Sequence, residues 1–257
     1  MCGRLNVIAD PLTQLLMEVF GIEASVADNW RDDINIAPTQ AVAAIRSLAG
    51  DDEHNGARSY GLDRLRWWLT PSWSKEMSTK YAMFNAKAET LAAKPAFAKP
   101  FRNRRCIIPV SGFFEWSKMN VQQNDLVGES SATVKLPYLI RPADATGLLL
   151  AGVWDRWHDP QGDRVVESFA IVTTAATTGL QALHHRQPVM LDADGARAWL
   201  DGETTLMDLQ ALLEPQLRID LQLVPVGREV NNARHKDPRV LTPIGSIVDV
   251  GAFDVTH

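Results

Sequence analysis

Cys106-Ile107-Ile108-Pro109-Val110-Ser111-Gly112-Phe113-Phe114-Glu115-Trp116 reads as an apolar strand that ends in a lone carboxylate among aromatic residues. Similar short β-like runs lie on both sides of it, at Val42–Ile45, Tyr138–Ile140, Leu148–Trp154, Phe169–Thr173 and Leu221–Val226. Helices are few. Asp10-Pro11 offers a cap and a first-turn proline, Leu12, Leu15, Leu16, Val19 and Phe20 follow at helical spacing, and Gly21 stops the run. Two more helices are expected at Ala193–Leu200 and Leu206–Leu213, the second announced by Thr205 and closed near Pro215. There is no regular βαβ alternation and no glycine-rich strand-to-helix phosphate loop, which argues against a nucleotide-binding parallel sheet. Many short strands with few helices predict an α+β fold: one domain around a curved, mostly antiparallel, barrel-like β-sheet core with flanking helices.

That domain is expected to span residues 1–257. Within it, Ser117–Lys135 is rich in Ser, Asn, Gln, Gly and Asp and is read as a mobile loop inserted between two strands, and residues 233–257 as a C-terminal tail. The 257 residues, 46% hydrophobic and 22% charged, suffice for a buried core and exclude wholesale disorder. No apolar run approaches the roughly 20 residues of a membrane span, and the opening residues do not read as a secretory signal, so a cytoplasmic protein is expected. Two cysteines, Cys2 and Cys106, make no disulfide framework and no paired metal spacing. The balance of 26 basic against 31 acidic residues argues against a nonspecific nucleic-acid coat. It hides a local basic run, Lys94, Lys99, Arg102, Arg104 and Arg105, which by itself is no more than a solvated face.

Cys2 is the most informative residue. Removal of an initiator methionine before a small residue would leave a chain that begins with an amine and a thiol on adjacent carbons. Their reference pKa values, about 7.7–8.0 and about 8.5, give both groups a nucleophilic fraction near neutral pH. Such a 1,2-aminothiol condenses with an aldehyde to an imine, and the thiol then closes a five-membered thiazolidine, a step favoured by being intramolecular. The bland alternative is a buried thiol at position 2 by chance. Phe84-Asn85-Ala86-Lys87-Ala88-Glu89-Thr90 sets an amide, a cation and a carboxylate two apart, on one face if the segment is extended. Glu115 among aromatics suits general acid/base work, or is simply a half-exposed strand end. Leu183-His184-His185-Arg186-Gln187-Pro188 brings a histidine and an arginine together in a turn, with no third metal ligand at a recognisable spacing.

Taken in order, Met1-Cys2-Gly3-Arg4, Asn35-Ile36-Ala37-Pro38-Thr39, Trp67-Trp68-Leu69-Thr70-Pro71-Ser72-Trp73, Asn85-Ala86-Lys87-Ala88-Glu89-Thr90, Gly112-Phe113-Phe114-Glu115-Trp116, His184-His185-Arg186-Gln187-Pro188 and Val226-Gly227-Arg228-Glu229-Val230-Asn231 resemble the SOS response-associated peptidase (SRAP) family. The resemblance spans residues 2–232. It implies capture of abasic sites in single-stranded DNA by a covalent thiazolidine crosslink through Cys2, which shields the lesion during the DNA-damage response. On that resemblance Cys2 is the nucleophile and Asn85 holds the N-terminus or the sugar oxygens. Glu115 handles the amine proton, and His184 protonates the sugar ring oxygen to open it. Arg4, Lys87 and Arg186 would contact DNA, and Trp67, Trp68 and Trp116 would stack or wedge against bases. The implied partner is single-stranded DNA with abasic sites, bound by a monomer with no membrane, no nucleotide cofactor and no metal.

An abasic site is a masked aldehyde, mostly a closed hemiacetal. An acid near the ring oxygen, an aminothiol and a base near the amine are the minimum kit for trapping it, and each proton transfer contributes about 10²–10⁴-fold. Lys87 stands where family members commonly carry arginine, which keeps the charge and loses the bidentate fork. Gln187, Gly227 and Trp68 also depart from the common pattern. Two other readings stay open: an N-terminal-nucleophile peptidase or hydrolase that processes itself, and a module that binds modified DNA without bonding to it. A lyase outcome, strand scission from the imine before thiol closure, belongs to the first chemistry.

Overall fold

The chain enters as a short strand, β1 (Leu5–Val7), and turns into helix α1 (Ala9–Phe20). In this computed structural model residues 2–23, 30–48, 59–125, 128–144 and 146–252 are described. The apolar spacing acts as expected: Leu12, Leu16 and Phe20 form the buried stripe of α1. Gly21 ends the helix in the left-handed region (φ 67°), its N–H reaching back to the Met17 carbonyl at 2.9 Å. The expected cap is corrected. The helix starts one residue before Asp10, and Asp32 accepts the free Ala9 N–H at 2.8 Å, a contact that no local pattern announces.

Strands β2 (Asp33–Ile36), β3 (Ala41–Ser47), β4 (Tyr60–Trp67) and β5 (Asn85–Lys87) follow, then a 3₁₀ turn at Ala88–Thr90 and helix α2 (Pro95–Asn103). Next come β6 (Arg105–Val110), β7 (Gly112–Asp125), β8 (Gly128–Pro142), β9 (Leu148–His158) and β10 (Val165–Ala175). The chain closes with α3 (Thr178–Gln181), β11 (Arg186–Pro188), β12 (Met190–Leu191), α4 (Ala193–Leu200), α5 (Leu206–Leu212), β13 (Leu221–Pro225) and β14 (Val248–Val250). Among the described residues, β10, β4, β3, β6 and β9 pair in that order and β9 returns to β10, which closes a five-stranded barrel. Only the β4–β10 seam of that ring is parallel, as Ser168↔Arg66 and Phe169↔Trp67. Gly152 sits where β6, β9 and β10 crowd together; a Cβ there would lie 2.9 Å from Cys106 Sγ, so that position excludes a side chain.

The second sheet runs β14-β13-β8-β7-β1-β2. Ser111 lets the chain step from the barrel strand β6 into β7 of this sheet, its hydroxyl accepting from the Ile8 N–H at 2.8 Å. The core between the layers holds Leu5, Trp67, Cys106, Phe113 and Phe169, and Cys2 is part of it. The fold class read from the sequence is therefore the observed one.

Two readings of the chain's organisation need correction. The stretch taken as a mobile loop, Ser117–Lys135, continues the β7–β8 ladder, with pairs from Ser117↔Leu136 out to Asp125↔Gly128. Ladder bonds are made by backbone groups, so a polar composition does not prevent a strand. Nor is the region after residue 232 wholly a tail. It contributes a 3₁₀ turn at Pro238–Leu241 and β14, which pairs with β13 as Leu221↔Val250.

Candidate functional site

Cys2 lies three residues ahead of the start of β1, fully buried. Asn85, the first residue of β5, is 8% exposed and donates through Nδ2 to the Cys2 carbonyl at 2.8 Å. Strand β5 is placed by parallel pairing with β10 (Ile171↔Asn85), so the barrel wall carries the amide that holds the start of the chain. Asn85 Oδ1 is buried without a hydrogen-bond partner among the described residues.

Glu115 comes from the other sheet, on β7 opposite Tyr138 of β8, and is 6% exposed. The same strand is fastened to the N-terminal segment, with the Phe114 N–H bonding to the Arg4 carbonyl at 2.9 Å. Desolvation raises the Glu115 carboxyl above its ordinary range, and the positive charge of the amino terminus, carried here by Met1, opposes that rise. Burial pushes the Cys2 thiol up, and the Glu115 charge adds to the effect. His184 is half-buried in the turn before β11. Its pKa is held below the usual histidine value, first by burial and next by the same amino-terminal charge. Cys2, Glu115 and His184 thus share one electrostatic neighbourhood, although they lie on three separate parts of the sequence.

The Arg186 backbone brackets His184 Nδ1: its N–H points at that nitrogen at 3.0 Å and its carbonyl oxygen lies 3.3 Å away, the shorter contact favouring a proton on Nε2. The ring is stacked on His185 at 4.2 Å between centroids. No cluster of three metal-ligating side chains occurs among the described residues.

Of the predicted DNA contacts, Trp67 is corrected, and others are placed against protein partners. Trp67 is fully buried in the core, stacked on Phe169 at 6.4 Å and donating its indole N–H to the Phe84 carbonyl at 2.9 Å, so it offers no face to a base. Trp68 is half-buried and tilted against Phe84. Arg4 is committed to protein partners: Nη1 donates to Asn35 Oδ1 at 2.5 Å and to the Val230 carbonyl at 2.8 Å. Its guanidinium lies 5.7 Å from the Trp116 ring, and Trp116 in turn donates to Asn231 Oδ1. Arg186 is nine-tenths buried and bidentate to Glu89, so it is not an open phosphate ligand. A partly desolvated guanidinium must find acceptors, and the fold supplies them before DNA does.

The basic run also divides. Arg105 is buried in a cage of backbone carbonyls from Phe101, Arg102, Trp199 and Asp201, and Arg104 pairs with Asp155. Lys94, Lys99 and Arg102 remain exposed. The Asn85-Lys87-Glu89 triplet is extended only through Lys87; a 3₁₀ turn then carries Glu89 to Arg186.

What sequence reading overlooked lies beside Asn85. A cavity of about 390 Å³ is lined by Asn85, Lys87, Lys94 and Met83 together with Trp73 and Tyr81, which are 65% and 69% exposed. Trp73 stood inside a quoted motif, yet nothing local separates an outward tryptophan from a core one. Asn35 was overlooked as well. It sits at φ 56°, a conformation asparagine tolerates, and its Nδ2 binds the Asn232 and His235 carbonyls while its Oδ1 takes Arg4. It ties the N-terminal segment to residues 230–235.

A model of the SOS response associated peptidase (SRAP) family matches residues 1–233. The chain belongs to that family. Among its SRAP relatives, the abasic site processing protein YoqW of Bacillus subtilis is 30% identical over 243 residues, covering 94% of this chain and 99% of that protein. The abasic site processing protein HMCES of Rattus norvegicus is 29% identical over 276 residues, covering 96% and 77%. A crystal structure of a protein from Bacteroides thetaiotaomicron superposes with a TM-score of 0.71 at 20% identity, covering 94% of this chain and 99% of that one, and bears on the fold alone. No helix among the described residues is long and apolar enough to cross a membrane.

Proposed function

We propose that this SRAP protein captures abasic sites in single-stranded DNA covalently, through a terminal Cys2 left by loss of Met1. The observation that carries the reading is that Asn85 holds the Cys2 carbonyl while Cys2, Glu115 and His184 all feel the charge of the amino terminus, four residues whose chemistry suits the four needs of the reaction. His184 delivers a proton to the sugar ring oxygen as the bond from the anomeric carbon to that oxygen breaks, and the anomeric hydroxyl gives up its proton as the C=O forms, so opening to the aldehyde is proton-neutral and the imidazole ends as it began once that proton returns to it. The Cys2 amine adds to that aldehyde carbon, and loss of one water gives an imine. Glu115, whose carboxyl burial raises above its ordinary range, relays protons between the amine and the departing oxygen. The Cys2 thiol then adds across the C=N bond, its proton passing to nitrogen. One C–N and one C–S bond have formed and one water has left.

The relatives named as abasic site processing proteins support this substrate. The cavity with Lys87, Lys94, Trp73 and Tyr81 supports a single strand beside the lesion, since cations along the backbone and aromatic faces for bases are what such a strand needs. Peptidase and lyase outcomes are alternatives that the same experiment separates. Protein whose mass shows Met1 removed is incubated with a single-stranded oligonucleotide bearing one abasic site and run on a denaturing gel. A covalent band is expected, absent with Cys2→Ala and absent when an N-terminal extension blocks the amine. A band that survives the blocked amine overturns the proposal, and cleaved strand without adduct indicates the lyase outcome.

A further inference from the structure

Glu89 is half-exposed, yet its carboxylate holds a nine-tenths-buried arginine: Oε1 accepts from Arg186 Nη1 at 2.5 Å and Oε2 from Nη2 at 2.9 Å. The same Nη2 donates to the Thr173 carbonyl at 2.5 Å, so one guanidinium ties β5's following turn, β10 and β11 together. Arg186 is also the residue whose backbone meets Nδ1 of His184, its N–H at 3.0 Å and its carbonyl oxygen at 3.3 Å, the shorter contact favouring Nδ1 as an acceptor. On the other side, Glu89 follows by four residues the Asn85 whose amide grips the Cys2 carbonyl. From this chain of contacts we infer that Glu89 is a positioning residue. Through Arg186 it sets the orientation and tautomer of His184 relative to the Cys2 held by Asn85. The inference rests on the crosslinking reading above and assigns Glu89 no contact with the substrate.

The physical need is specific. Strand β11 is three residues long, and His184 stands in the turn before it, so little regular ladder fixes the ring. A histidine serves as a donor at a chosen point only if its other nitrogen is occupied. Without the carboxylate, Arg186 is a buried cation left with the Thr173 oxygens, and it moves to find new acceptors. Its backbone N–H moves with it. A rival role can be stated from the same carboxylate: Glu89 repels DNA phosphates, and its neutralisation tightens binding and leaves the reaction as fast or faster.

The experiment measures crosslinking under single turnover with Met1-free wild type, Glu89→Gln and Glu89→Asp, using the abasic single-stranded oligonucleotide at a range of concentrations. Nitrogen NMR of the imidazoles reports the His184 tautomer in the same proteins. Expected for Glu89→Gln is a maximal rate roughly tenfold lower, part of the roughly 10²–10⁴-fold a well-placed proton donor supplies, with the half-saturating DNA concentration unchanged or lower. The Nε2–H form should dominate in wild type and be lost to a mixture in Glu89→Gln, with Glu89→Asp between the two. A folded Glu89→Gln with wild-type rate and tautomer overturns the inference. If that variant fails to fold, Glu89→Asp is judged by the same two readings. If wild type itself forms no adduct, the crosslinking reading has failed, and the tautomer comparison alone decides the positioning role of Glu89.

Discussion

Replacing Asn85 by leucine removes two things at once: the donor to the Cys2 carbonyl and an acceptor, Oδ1, that is buried without a partner. For global stability these act in opposite directions. The lost bond and the stranded Cys2 carbonyl cost about 1–3 kcal/mol, while deleting an unsatisfied buried oxygen returns a similar amount. The melting temperature should therefore change little. For the docking of the N-terminal segment there is no such return, because the stranded carbonyl is on that segment and gains solvent only by leaving. A penalty of about 1–3 kcal/mol lowers the ratio of docked to undocked termini by about 5- to 150-fold. Single-turnover crosslinking to an abasic oligonucleotide should fall by up to that factor. Hydrogen exchange at the Gly3 and Arg4 amides should rise by all of it, and condensation of the free terminus with a small aldehyde should be preserved. Crosslinking within about twofold of wild type in a protein of unchanged melting temperature would refute the argument, since the hydrogen bond would then anchor nothing that the reaction uses.

Glu115→Gln tests the buried carboxyl by its pH dependence. Because the native pKa lies above the unfolded one, the native chain gains stability as pH falls through the raised pKa, with the gain complete below about 4.3, and loses it as pH rises. The glutamine variant should be more stable than wild type at pH 7–8 in chemical denaturation and should converge with it in acid; the opposite order would mean that the carboxylate is stabilised where it sits. Arg105→Met strands four backbone carbonyls, each bond to a charged donor being worth about 1.5–3 kcal/mol. A loss of at least about 3 kcal/mol is expected in calorimetry, against little change for Arg102→Met on the exposed side of the same run. Trp73→Ala should weaken noncovalent binding of single-stranded DNA by about 1–3 kcal/mol without unfolding the protein, as read by fluorescence anisotropy with Cys2→Ala protein. Trp67→Ala should instead be a folding defect.

The parts of this molecule legible in its sequence are those governed by local rules. Helix α4 begins and ends where it was expected, at Ala193 and Leu200, and Thr205 caps α5 by accepting the Asp208 N–H. Strands β6, β9 and β10 were visible as apolar runs because both faces are buried in a closed barrel. Strands β5, β11 and β12 are two or three residues long and exist only because β10 or β9 is there to pair with them, so no pattern within them could announce them. The candidate residues of the site could be named from their types, and the placement of the cations could not. Arg4, Arg105 and Arg186 read as open charges, yet each is held by acceptors from 3 to 226 positions away in sequence. Orientation decides between a structural and a ligand-binding arginine, and orientation is a tertiary property.

The bond between Asn85 and Cys2 spans 83 positions of sequence. During synthesis the second residue leaves the ribosome first, while the strand that grips it, the glutamate beside it and the imidazole near it are still to be translated. A nascent or prematurely terminated product that stops short of β11 carries the cysteine with an incomplete set of helpers. Its thiol chemistry is then that of any cysteine in solution, and on the crosslinking proposal the finished barrel is what would separate a selective trap from an indiscriminate scavenger of aldehydes.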